Sequence, residues 1–79
     1  MSKEEILEIV KRVLAKRGKK TDCTITYDNG TTVAIGMNDT LTLPALNEIA
    51  KAAGDDYIMI DGNYGGDHLY EIWIDYEQH

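Results

Sequence analysis

Apolar residues recur at helical spacing through the first stretch of the chain. Ile6, Leu7, Val10, Val13 and Leu14 fall on one face with Ile9 at its edge, while Glu5, Glu8, Lys11, Arg12 and Lys16 occupy the rest. Ser2 stands where an N-cap is needed, and Glu5, three residues on, completes a capping box. Met1 and Ile6 take the positions of a hydrophobic staple, and Gly18 is a natural stop. The pattern predicts a helix over about 2–17.

The hydrophobic period then changes to two. Cys23, Ile25 and Tyr27 alternate with Thr24, Thr26 and Asp28, and Val33, Ile35 and Met37 alternate with Thr32, Ala34 and Gly36. Asn29-Gly30 lies between the two runs and tolerates the two positive φ angles of a type I′ turn, so the segment predicts a β-hairpin. Helical grammar returns after it. Thr42 can cap, Leu41 and Leu46 can staple, and Pro44 suits the first turn. Leu46, Ile49, Ala50 and Ala53 make the stripe, and Gly54 ends it. Two further strands follow, near 56–61 ("DYIMID") and 69–76 ("LYEIWIDY").

The expected order is therefore α-β-β-α-β-β. It places the chain in the α+β class, with a four-stranded, mostly antiparallel sheet and two helices packed on one face. The connection from the second strand through the second helix is long enough for a crossover. That leaves a parallel pairing of strands two and three open. At 79 residues the whole chain, 1–79, reads as one small domain with a modest core.

Period two also sorts the strand residues by face. Tyr70, Ile72, Ile74 and Tyr76, with Ile58 and Ile60, belong with the inward set of the hairpin, to which Cys23, Ile25 and Tyr27 are assigned. Glu71, Trp73, Asp75 and Glu77 then share the opposite face, and Tyr57 and Met59 point the same way, beside Thr24, Thr26, Thr32 and Ala34. Two helices on one side leave this other side as an aromatic and methionine cluster rimmed by carboxylates. Such anchors with a polar rim typify protein contact surfaces.

Charge sharpens that expectation. The net charge is -6, but residues 1–20 carry seven basic and three acidic groups, whereas residues 55–79 carry seven acidic groups and no Lys or Arg. An acidic C-terminal third repels phosphates, so it disfavours nucleic acid as a direct partner through that surface and favours a protein with a basic surface; no direct nucleic-acid binding is expected. The candidate partner-binding residues are Tyr57, Met59, Asp61, Tyr64, Asp67, Glu71, Trp73 and Asp75. The other expectation for this patch is that one helix crosses to cover it or that Trp73 simply packs on neighbouring side chains, and a further one is homodimer formation through the same open sheet face.

Little in the chain looks like chemistry. Cys23 is the only cysteine, at an inward strand position with no basic neighbour in sequence, which suits a small hydrophobe rather than a nucleophile. One interior histidine and one thiol are too few for a tetrahedral zinc site. No nucleophile elbow occurs. The densest polar stretch, "DGNYGGDH" at 61–68, offers Asp61, Asn63 and Asp67 at spacings reminiscent of a calcium loop. It has Gly65 and Ile72 where that loop needs oxygen ligands, and strands rather than helices flank it. It reads as a hairpin loop over 62–68 whose glycines permit positive φ. The expectation is a non-enzyme with no cofactor and no metal. With no long apolar run, no membrane contact and no signal peptide, it is expected to be cytoplasmic.

In size, single-domain build and acidity the chain is similar in general character to phage-encoded inhibitors such as anti-CRISPR and anti-restriction proteins. The resemblance implies a small acidic inhibitor or adaptor that occupies a basic, nucleic-acid-binding surface. No residue role is carried over from it. The alternatives are a small-ligand or calcium-binding domain using residues 61–68, and a designed α+β scaffold, which the regular first helix would suit.

Overall fold

The computed structural model describes residues 1–62 and 67–76. Its elements are α1 (Lys3–Lys16), β1 (Thr24–Asp28), β2 (Thr32–Met37), α2 (Leu43–Ala53), β3 (Met59–Asp61) and β4 (Tyr70–Asp75). The element order is the expected one. Both helices begin as their sequences dictate. Ser2 Oγ accepts from the Glu5 backbone N–H while the Glu5 carboxylate accepts from the Ser2 N–H, closing the capping box at α1. Thr42 Oγ1 accepts from the Ala45 N–H at α2, and Gly54 ends that helix in the left-handed region at φ 77°.

The sheet order is β1-β2-β4-β3, and every neighbouring pair is antiparallel. The crossover through α2 therefore does not make β2 and β3 neighbours. It carries the chain past one strand position, which β4 fills. The central β2–β4 ladder runs six pairs, from Thr32 opposite Asp75 to Met37 opposite Tyr70.

Both helices pack on one face. Ile6, Ile9, Val10, Val13 and Leu14 of α1 and Ala45, Ile49 and Ala53 of α2 join Val33, Ile35, Met37, Ile72 and Ile74 in a single core. On α2 the fully buried side of the stripe is Ala45–Ile49–Ala53, with Leu46 and Ala50 only half-buried. The small alanines let α2 lie close against its neighbours. Ile35 and Ile72 face each other at the centre, both without solvent exposure. Cys23 is buried, and burial raises its thiol pKa above the ordinary value.

The hairpin departs from expectation at two places. Among the described residues no non-glycine has positive φ, so Asn29 is not in the type I′ conformation; within the turn only Gly30 has positive φ, at 93°. The turn is wider, and the Asn29 side chain holds it by accepting from the Thr31 and Thr32 backbone N–H groups. The second departure is a break in register between Ile25 and Tyr27, a β-bulge at Thr26. One extra residue reverses the alternation downstream. Tyr27 is therefore not in the inward set. It stands opposite Ala34 on the helix-free face.

Polar groups lock the remaining seams. Asp55 is 5 % exposed and accepts from the backbone N–H of Tyr57 at 2.9 Å and of Asp75 at 2.8 Å, which ties the exit of α2 to the end of β4. Asp28, turned to the helix side by the bulge, accepts from the Tyr76 hydroxyl and pairs with Lys3 at 3.2 Å. Glu48 of α2 pairs with Lys16 and Arg17 at the end of α1. No helix of the described residues is long and apolar enough to cross a membrane.

Candidate interaction surface

The helix-free face is laid out by the register of four strands. One cross-strand row runs Tyr27, Ala34, Trp73, Met59, and the next runs Thr24, Gly36, Glu71, Asp61. Its centre is β2, which presents Ala34 and Gly36 there, with Thr32 at the start of the strand. Neither Ala34 nor Gly36 is exposed to solvent, although no helix covers them. Side chains from either side close over them instead. The Tyr27 and Trp73 rings lie 5.2 Å apart, centroid to centroid, and tilted by 42°. Their strands are separated by β2, so roughly 9–10 Å lies between their backbones, and both rings must lean inward over Ala34. The imidazole of His68 lies against Gly36 so closely that a Cβ there would overlap the ring.

Glu71 follows from the same packing. It is only 7 % exposed and accepts a hydrogen bond from Thr26 Oγ1, the residue the bulge sets free from strand alternation. The same hydroxyl contacts the Ala34 carbonyl at 3.3 Å. Among the described residues no Lys or Arg pairs with Glu71. Its cross-strand neighbour is Asp61, and like charges opposite one another on a sheet are unfavourable.

The eight expected contact residues separate accordingly. Tyr57 and Met59 are 86 % and 65 % exposed, so the accessible apolar surface lies toward β3. Trp73 is half-buried beneath its contact with Tyr27. Asp67 and Asp75 are exposed and Asp61 half-buried, forming a carboxylate rim, whereas Glu71 belongs to the interior of the face. Tyr64, with the rest of residues 63–66, lies outside the described residues. Ile60, expected to be inward, does point to the helix side opposite Ile72, but it is 56 % exposed because it sits on the sheet edge.

Tyr27 and His68 were not expected in this face, and Thr26, which was, had not been expected to bond Glu71. The visible signal was the run of small residues, Ala34 and Gly36, on a strand side that also carries Trp73. Such positions mark a place where something folds close. Among the described residues no cluster of three or more His, Cys, Asp or Glu is arranged to hold a metal. No family model, no curated protein and no solved structure matches this chain.

Proposed function

We propose that this domain is a non-catalytic interaction module, a small acidic inhibitor or adaptor. Its partner is a protein with a basic, nucleic-acid-binding surface, bound through the β3–β4 side of the sheet. The observation that carries the reading is an exposed apolar patch, Tyr57 and Met59 beside the Tyr27–Trp73 pair, in a region whose charges are all negative: no Lys or Arg follows Lys51. Apolar anchors supply contact area, and the surrounding field selects a cationic partner and speeds encounter. A groove built to hold phosphates presents the complementary potential.

The immobilised domain, exposed to a cell extract, is expected to capture nucleic-acid-binding proteins and to release them when duplex DNA or RNA is added. A captured set that nucleic acid does not displace, or that is unchanged by Met59→Ser with Tyr57→Ser, contradicts the reading.

A further inference from the structure

The β3 edge has features that the rest of the surface lacks. Among the described residues β3 ends the sheet, and no strand pairs with its outer side. Met59 and Ile60 point to opposite faces, yet they are 65 % and 56 % exposed, and Tyr57 just before them is 86 % exposed. At an interior strand one of two successive residues would be covered. Here the apolar surface wraps around the edge, with Ile60 exposed on one face and Met59 on the other. Exposed apolar edge strands invite pairing with another chain, and proteins usually blunt them with lysine, proline or a bulge. Among the described residues this edge has none of the three, and its only blunting is its short length, three residues, and the charge of Asp61. It is flanked by acid alone, in Asp56, Asp61 and Asp75.

Acid at an edge discriminates. A second copy of this chain would bring like charges together, whereas a basic strand would be attracted. Resting on the reading of the domain as a binder of basic proteins, we infer that β3 is a strand-addition site. Its occupant is an extended segment of that partner in which apolar residues alternate with Lys or Arg. The added strand hydrogen-bonds to the β3 backbone, its apolar side chains cover Ile60 on the helix side, and its cations lie on the opposite face with Asp61 and Asp75.

Three ten-residue peptides test this: alternating Val and Lys, the same composition interrupted by prolines, and alternating Val and Glu. Binding is followed by amide chemical shifts and hydrogen exchange. The Val–Lys peptide is expected to bind about tenfold more tightly than its proline counterpart, a difference of about 1.4 kcal/mol. It should slow exchange of the β3 amides, and the Val–Glu peptide should not bind. Tyr57→Ser and Ile60→Thr leave the charge unchanged, and Tyr57 is too exposed to be needed for folding. Each should weaken the Val–Lys peptide several-fold. Equal binding of the two basic peptides, with shifts at Tyr27 and Trp73 but no β3 protection, overturns strand addition and leaves the proposed function standing. Failure of every basic peptide to bind at low salt overturns both.

Discussion

Tyr27 and Trp73 stand on either side of Ala34 and meet above it, their ring centroids 5.2 Å apart. A contact between strands that are not neighbours is possible only because Ala34 leaves room beneath and the Thr26 bulge turns Tyr27 to this side. The pair covers the centre of a sheet face that no helix covers. Aromatic pairs of this kind contribute about 0.5–1.5 kcal/mol beyond the area they bury. Ala34→Leu should wedge the rings apart, lower stability by about 1–3 kcal/mol, and shift Trp73 fluorescence to the red. An unchanged emission maximum would show that the rings do not close over this position.

Deleting Thr26 removes the bulge and leaves Ile25 and Tyr27 in strict alternation, with Tyr27 still opposite Ala34 on the helix-free face. The same change takes the hydrogen bond from Glu71, which is then buried without its hydroxyl partner. The variant is expected to lose about 2–4 kcal/mol in urea unfolding, whereas Thr26→Ser, which keeps the hydroxyl, should lose under about 1 kcal/mol. Similar losses in both would place the cost elsewhere.

Gly36→Ala tests the contact with His68. The added methyl overlaps the imidazole and must displace it, since the alternative is movement of the central strand. A loss of about 1–3 kcal/mol with an intact helix signal by circular dichroism is expected. Chemical-shift changes should concentrate at residues 67–69. A neutral substitution would mean that His68 does not rest there in solution.

Asp55 joins two elements that the chain separates by twenty residues, through the Tyr57 and Asp75 N–H groups. Asp55→Ala leaves both donors without this acceptor and should cost about 2–3 kcal/mol. It should also speed hydrogen exchange at the ends of β3 and β4 more than in α1. Uniform acceleration would contradict a local clamp.

Acid should unfold the domain through four carboxylates. Asp28 is held below its ordinary pKa by the Tyr76 hydroxyl and then the Gly30 N–H, and Asp39 by the N–H groups of Lys20 and Thr40. Glu48 is lowered by Lys16 and Arg17, and Glu5 by Ser2. In each case the unfolded chain binds the proton more readily than the folded one. The stability they contribute is present above the unfolded value, about 4, and is lost as pH falls through the lower folded values. These groups face solvent, so each contributes little by itself. The melting temperature should hold steady from about pH 7 to about pH 5 and fall below about pH 4. A melting temperature that rises on acidification would reverse the sign and contradict these contacts.

The helices, the four strands and the helix-covered side of the core were legible because capping residues and hydrophobic period are local signals. Ser2–Glu5 and Thr42–Gly54 mark their helices without reference to anything distant. What was not legible depends on contacts between distant segments. A bulge shifts register by one residue without altering composition, so Tyr27 read as inward. Glu71 read as a rim carboxylate because its hydroxyl partner, Thr26, comes from β1, across an intervening strand. Strand order was undetermined for the same reason: the crossover length permits β3 to pair with β2 or to lie one strand beyond. The contact surface was found in outline, but its accessible part lies toward Tyr57 and Met59 rather than over Trp73.

The central claim is that a basic partner is held by the acidic β3–β4 side. The most direct measurement is the affinity of the captured partner as a function of salt. Between about 50 mM and about 500 mM salt the screening length falls roughly threefold, and the dissociation constant is predicted to rise at least tenfold. Asp75→Lys with Asp67→Lys should flatten that dependence. A dissociation constant that stays constant across the salt range would contradict the account.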